Sequence, residues 1–237
     1  MKIQQSLNEN ELDFNKFMNY LYCAYREWSL ELYQKLSKKH QNMILLKSPK
    51  KLTLQYIKKI NPKIIFFPDW SWIIPKEIIE KYDCVCFHES NLPKFRGGSP
   101  IQNQIIRGIK KTKTTAFLMN EKLDAGDILL QKPLSLEGSL SDIFLRMQKN
   151  DYEMISKIIQ GKYKIKKQKG NPTTFKRRKP EESELKNLDY SKSYLYNFIR
   201  MLEDPYPNAF IKIGKHKIIF KSAKLKNKKL LILGEIE

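Results

Sequence analysis

The sequence lacks the features of a membrane or secreted protein. Its 237 residues contain no apolar run of about 18 residues, the length that a helix needs to cross a bilayer. Residues 1–16 contain no apolar stretch that predicts a secretory signal. The three cysteines are too few for a disulfide framework. We therefore expect a cytoplasmic protein.

Nucleotide and metal motifs are missing as well. No G-x-G-x-x-G pattern follows the first predicted strand, which argues against a dinucleotide cofactor. Cys84, Cys86 and His88 alternate along one face of a predicted strand. Their spacing is not one that zinc sites use, and no fourth ligand is obvious. The sequence therefore predicts no metal site.

Positive charge and apolar residues are both abundant. The net charge is +20, and the hydrophobic fraction of 41% is sufficient for a packed core. A basic surface attracts nucleic acid, anionic membranes or phosphorylated small molecules. The excess lysines are scattered through a sequence rich in Ile and Asn, a pattern that genome base composition can also produce. Charge alone therefore does not select a ligand.

Strand and helix patterns alternate along the chain. This alternation predicts an α/β fold, a Rossmann-like and mostly parallel sheet flanked by helices. We expect a catalytic domain over residues 1–160, beginning with a polar arm at 1–14. Residues 161–237 would form a lysine-rich loop and a small region with a helix and a β-hairpin. The predicted strands are 17–23, 43–46, 63–67, 84–87, 114–118, 127–132, 209–213 and 216–221, and the predicted helices 27–38, 52–59, 75–82, 99–108, 141–160 and 191–202.

Ligands of such sheets bind at the carboxyl ends of the strands. This rule places three parts of the chain around one crevice: the segment after the first strand, residues 69–74, and the segment after Phe87. Tyr25 and Arg26, in the first of these, are candidates for binding phosphates of the substrate.

Two segments carry a recognisable pattern. His88-Glu89-Ser90-Asn91-Leu92-Pro93 continues into Arg96-Gly97-Gly98, and Leu123-Asp124-Ala125-Gly126 follows about three dozen residues after the histidine. Together they resemble the folate-dependent formyltransferases, whose pattern is Asn-x-His-x-Ser-Leu-Leu-Pro-x-x-Arg-Gly and then Leu-Asp-x-Gly. The resemblance is strongest over residues 60–135. It implies a Rossmann-like enzyme that takes a formyl group from 10-formyltetrahydrofolate.

The resemblance assigns catalysis to His88 and Asp124. Imidazole titrates near pH ~6.5, so it can accept and return a proton at neutral pH. A carboxylate can hold the ring in place and stabilise imidazolium. Cys86 occupies the position of the family asparagine, which donates to the developing oxyanion, and a thiol is a poor donor. Cys86 itself, a backbone N–H, or the nearby Ser90 or Asn91 are alternative donors, and the last two are also candidates for substrate binding.

The resemblance also implies a pterin pocket. One wall would be Trp72, Ile73 and Ile74, and the other Asn120, Glu121, Lys122, Leu123 and Asp124. The turn at Gly98 precedes a predicted helix, where free N–H groups suit an anion or the folate tail.

Three acceptors compete. Within the family, the best expectation is a nucleotide-linked amino sugar, such as a dTDP-4-amino-4,6-dideoxyhexose for O-antigen and lipopolysaccharide synthesis, which makes nucleic acid an unlikely partner. A methionyl-tRNA enzyme suits the charge, but few residues follow Asn208 to build the C-terminal β-barrel of such enzymes. A non-catalytic folate- or nucleic-acid-binding module is the third reading. The apolar run 230–233 suggests a homodimer.

Overall fold

The computed structural model describes residues 18–237. Its centre is a six-stranded sheet with the strand order β2-β1-β3-β4-β6-β7. The first four strands in this order are parallel, whereas β6 runs antiparallel to both β4 and β7. The expected Rossmann-like, mostly parallel sheet is confirmed. The strands are β1 (Tyr20–Ala24), β2 (Met43–Leu46), β3 (Ile64–Asp69), β4 (Asp83–His88), β6 (Lys111–Leu118) and β7 (Ile128–Ser135).

Helices cover both faces of this sheet. Three of them begin at a capping side chain: Thr53, Ser139 and Ser191 accept hydrogen bonds from the first turns of their helices. Ser139 and Asp142 form a reciprocal capping box. The helices are α1 (Glu27–Lys39), α2 (Leu54–Ile60), α3 (Lys76–Lys81), α4 (Pro100–Ile105), α5 (Leu140–Ile159) and α6 (Lys192–Arg200), with short 3-10 helices at Pro49–Lys51 and Pro180–Ser183.

Two hydrophobic clusters form on opposite faces of the sheet. The larger is built by α1, α5 and α6 against residues such as Tyr22 and Phe66. The smaller lies under α2 and α3 and contains Leu21, Phe67 and Ile78. Neighbouring residues of β1 and β3 divide between the two clusters because successive side chains of a strand point to opposite faces.

The lysine-rich segment and the C-terminal region are more ordered than the sequence predicts. β8 (Thr174–Phe175) pairs with β5 (Arg96–Gly97), so the expected loop includes a strand. The expected hairpin is a three-stranded antiparallel sheet of β9 (Ala209–Ile213), β10 (His216–Lys226) and β11 (Lys229–Ile236). β11 contains the apolar run 230–233, and Leu231 and Leu233 remain more than half exposed. The predicted arm at 1–14 lies outside the described residues.

No helix within residues 18–237 combines the length and apolarity needed to cross a membrane. In the same part of the chain, no group of three or more His, Cys, Asp or Glu side chains is arranged to hold a metal ion.

Gly126 positions the loop between β6 and β7. A Cβ at this residue would lie 1.5 Å from the carbonyl oxygen of Leu118, so the main chain can approach β6 only without a side chain. The close approach turns Asp124 towards the carboxyl end of β4, and it gives the loop a fixed path.

We expect Gly126→Ala to lower the free energy of unfolding by about 3 kcal/mol, because the new methyl group would displace the backbone. Gly108→Ala is the control. Gly108 has a φ of +72° but nothing within 4 Å of a Cβ, so only the conformational cost of about 1 kcal/mol is expected there. Urea unfolding of both variants measures the difference, and equal losses would contradict the close approach.

Candidate active site

A cavity of about 1290 Å³ opens at the carboxyl ends of the parallel strands. This position is the one that open α/β sheets use for ligands. Its walls come from the ends of β3 and β4, the loops after them, the β6–β7 loop and the segment 174–180. Residues 176–179 of the lysine-rich segment therefore line the cavity.

His88 and Asp124 meet in the wall of this cavity. His88 ends β4, and its Nδ1 lies 3.7 Å from Oδ2 of Asp124. The other ring nitrogen, Nε2, lies 2.6 Å from the carbonyl oxygen of Phe95. Both side chains are largely buried, which limits screening of their attraction by water. The imidazole is thus held from two sides, by the nearby Phe95 and by Asp124, which is distant in the sequence.

The Asp124 carboxylate can orient the imidazole of His88 only if other contacts hold the carboxylate in place. The backbone N–H of Gly97 donates to Oδ2 of Asp124 at 2.7 Å. Asp124 adopts a φ of +48°, in the left-handed region that few non-glycine residues occupy. Surrounding contacts must stabilise this conformation.

Gln168 supplies those contacts. Its Nε2 donates to the carbonyl oxygens of Asp124 and Gly126, at 2.8 and 2.9 Å. Its Oε1 accepts two hydrogen bonds from the Arg96 guanidinium, at 3.2 and 2.6 Å. Gln168 is half-buried although both of its neighbours in the sequence are exposed. It joins the Asp124 loop to the Arg96–Gly97 segment.

Gly98 has a different role from the one expected. Its N–H donates to the carbonyl oxygen of Phe175 at 2.8 Å, so this group is not free for an anion or a folate tail. A Cβ on Gly98 would lie 2.3 Å from Cα of Arg177. Gly98 lines the cavity, but the sequence requires a glycine there because segment 174–178 passes so close.

Cys86 lines the cavity two residues before His88. Its thiol contacts the carbonyl oxygen of Phe87 at 3.7 Å. Burial raises the pKa of Cys86 well above its ordinary value, and the negative charge of Asp124 adds to this effect. The group therefore remains a neutral thiol, which is a weak hydrogen-bond donor.

The two expected pterin walls both line the cavity. Trp72 and Ile73 are exposed, and Ile74 is buried beneath them. Trp72 packs edge-on against Trp70 and Tyr25, with ring centroids 5.0 and 4.7 Å apart. The other wall consists of Asn120, Glu121, Lys122, Leu123 and Asp124.

Arg26 lines the cavity but is already paired. Its guanidinium forms an ion pair with Asp69, and its backbone N–H donates to the same carboxylate at 3.1 Å. It also lies over the rings of Tyr25 and Tyr206. Tyr25 does not line the cavity, and its hydroxyl lies 2.6 Å from that of Ser71. These contacts engage both residues within the protein.

Ser90 and Asn91 do not reach the cavity lining. The Ser90 side chain is completely buried, and its hydroxyl donates to the carbonyl oxygen of Lys94 at 2.6 Å. The Asn91 amide oxygen accepts from Gln131 at 3.3 Å. The chain turns sharply after His88, so these residues brace the loop instead of facing a substrate.

Sequence reasoning did not identify Glu89, Tyr206 or Gln168, although the first two line the cavity. A charged residue directly after a buried strand was the available signal for Glu89. No signal marked Gln168, because its partners are main-chain oxygens and an arginine far away in the sequence.

We expect Gln168→Ala to lower the free energy of unfolding by about 2 kcal/mol, because it removes four hydrogen bonds that hold two loops together. The lysines of segment 162–176 should then become more sensitive to trypsin. The exposed neighbour Asn171 provides the control, and Asn171→Ala should change neither quantity. Equal protease resistance of both variants would show that Gln168 does not tie the segment down.

Comparison with known families identifies two parts of the chain. The family model described as "Formyl transferase" matches residues 35–159. The model described as "Methionyl-tRNA formyltransferase, C-terminal domain" matches residues 180–236. The second match includes α6 and all three strands of the C-terminal sheet.

Individual relatives agree with these matches. The chain is 37% identical to methionyl-tRNA formyltransferase of Bacillus cytotoxicus over 159 residues, which cover 64% of this chain and 50% of that protein. It thus spans about half the length of such curated relatives. The solved methionyl-tRNA formyltransferase from Clostridium thermocellum is 42% identical, with a TM-score of 0.89 over 93% of this chain and 99% of that one. A sugar N-formyltransferase from Shewanella shares the fold at 18% identity and a TM-score of 0.66, with 91% and 96% coverage.

The expectation of a nucleotide-linked amino sugar as acceptor is wrong, and so is the expectation that nucleic acid is an unlikely partner. Both rested on the few residues after Asn208, but the matched C-terminal region starts earlier, at residue 180. The O-antigen and dTDP-sugar assignments fail with them, because the 35–42% identical relatives are methionyl-tRNA enzymes. The matched catalytic region and the near-complete overlap with a 42% identical structure show that this chain belongs to the formyl transferase family.

Proposed function

We propose that the protein transfers a formyl group from 10-formyltetrahydrofolate to the amino group of methionyl-tRNA in the cytoplasm. The observation that carries the proposal is the His88–Asp124 pair in the wall of the cavity. The match of residues 180–236 to the C-terminal domain of methionyl-tRNA formyltransferases supports the choice of acceptor. The net charge of +20 suits a polyanionic partner.

The cavity has room for both reactants. Its volume of about 1290 Å³ exceeds that of most single-ligand pockets, which measure roughly 300–1,000 Å³. Trp72, Ile73 and Ile74 and the opposite segment 120–124 would hold the pterin between them. The folate supplies the formyl carbon, and the residues of the chain bind, orient and move protons.

His88 would act as the base. It takes a proton from the attacking amine and returns it to the departing folate nitrogen. Asp124 keeps the ring oriented and stabilises the imidazolium. Because Gly97 and Gln168 hold Asp124, the pair needs little rearrangement when a substrate enters.

We expect His88→Asn and Asp124→Asn each to reduce kcat by about 10²–10⁴-fold, the usual contribution of proton transfer. Formylation of methionyl-tRNA with 10-formyltetrahydrofolate, followed by mass spectrometry of the released amino acid, measures the loss. Thermal unfolding checks that both variants fold. Near-full turnover by a folded His88→Asn protein would refute the assigned chemistry.

Cys86 offers a gain-of-function test. An asparagine amide donates a stronger hydrogen bond to a developing oxyanion than a thiol does, and one such donor contributes about 10²–10³ in rate. We expect Cys86→Asn to raise kcat and Cys86→Ala to leave it nearly unchanged. If Cys86→Ala instead abolishes turnover, the thiol itself is the donor.

A further inference from the structure

Glu89 is a carboxyl group in the cavity wall without a cationic partner. It directly follows His88 at the end of β4 and lines the same cavity. Within residues 18–237, no lysine, arginine or histidine forms an ion pair with it. Removing an ionised carboxylate from water without a partner is costly. Such a group is therefore suited to a ligand that brings a positive charge.

Two other carboxyl groups, those of Asp69 and Asp151, lie near Glu89, and both differ from it. Asp69 forms an ion pair with Arg26. Asp151 on α5 is completely buried, and within residues 18–237 neither of its carboxyl oxygens has a hydrogen-bond partner. Burial raises the pKa of Asp151 well above its ordinary value, and Glu89 and Asp69 add to the effect.

Glu89 differs because its proton can exchange near neutral pH. Burial raises the pKa of Glu89 to about 7, and the charge of Asp69 adds to this effect. The neighbouring His88, a hydrogen bond from the backbone N–H of Glu89 itself and the charge of Arg26 oppose it. An α-amino group has an ordinary pKa of about 7.7–8.0. Proton transfer between two groups is efficient when their pKa values are this close.

Proton counting leaves one proton of the acceptor that does not go to the folate nitrogen. The acceptor enters mainly as an ammonium ion, and its nitrogen must lose two protons to become a formamide. One of them leaves with the folate nitrogen, and the other must reach the solvent. A single imidazole carries only one proton at a time, so His88 cannot hold both.

We infer that Glu89 binds the ammonium group of the acceptor and takes its first proton, an inference that rests on the proposed function. An N–H bond breaks, the proton moves to a carboxylate oxygen of Glu89, and the electron pair stays on nitrogen. That pair forms the bond to the formyl carbon while the bond from this carbon to the folate nitrogen breaks. His88 transfers the second proton to the departing nitrogen, and Glu89 later releases its proton to water.

The test compares Glu89→Gln, Glu89→Asp and the wild type on methionyl-tRNA between pH 6 and 9.5. At pH 7 we expect Glu89→Gln to lower kcat/KM by about 10²-fold. The deficit should narrow to about tenfold or less above pH 9, where the amine is already neutral. Glu89→Asp should retain the wild-type dependence on pH. Glu235→Gln on the exposed strand β11 is the matched control and should behave as wild type.

A deficit of Glu89→Gln that stays constant from pH 6 to 9.5 would overturn the inference, because a merely structural role predicts no dependence on amine protonation. If the wild type does not formylate methionyl-tRNA at all, the proposed function itself fails.

Melting temperatures supply a readout that does not depend on activity. The raised pKa of Glu89 means that its contribution to stability, present below about pH 4.5, is lost as the pH rises through about 7. Glu89→Gln should therefore melt above the wild type at pH 8.5 and not at pH 4.5. An equal Tm difference at both values would contradict a half-buried carboxylate without a cationic partner at this position.

Discussion

The site depends on how the backbone at Asp124 is held. A left-handed residue is unfavourable on its own, yet here it turns the carboxylate towards the imidazole at the end of β4. Two distant parts of the chain, the N–H of Gly97 and the amide of Gln168, hold this loop, and the close packing of Gly126 on β6 fixes its path. The position of the Asp124 carboxylate thus depends on contacts spread over the fold.

The electrostatic properties of the cavity depend more on the burial of nearby groups than on the net charge of the chain. The chain carries a net charge of +20, yet Asp69 and Glu89 line the cavity near His88, and Asp151 is buried near them. Arg26 forms an ion pair with Asp69, and burial raises the pKa of Asp151. Under the proposed function, the basic chain would meet the phosphates of its partner, and these carboxyl groups would meet an amine.

Much of the fold could be predicted from the sequence because strand and helix periods are local. The strand Met43–Leu46 and the helix beginning at Glu27 were predicted within one residue of their observed limits. The joint motif of His88 and Asp124 indicated the family, because its residue types and their spacing resemble the family pattern. Gln168 and the pairing of β8 with β5 could not be predicted, because they depend on contacts between distant segments that leave no periodic signal. The expected acceptor was wrong because it was inferred from the number of residues after Asn208. The match to the C-terminal domain of methionyl-tRNA formyltransferases begins earlier, at residue 180.

The pairing of β8 with β5 has a geometric consequence. The covalent path from the catalytic sheet to the C-terminal sheet runs along the cavity wall, and Gln168 and Phe175 anchor it there. The distance from the imidazole to the start of the C-terminal region is therefore set by hydrogen bonds and not by a slack tether. Under the proposed function, a tRNA bound by that region would present its end to the imidazole at a separation that the connecting segment fixes.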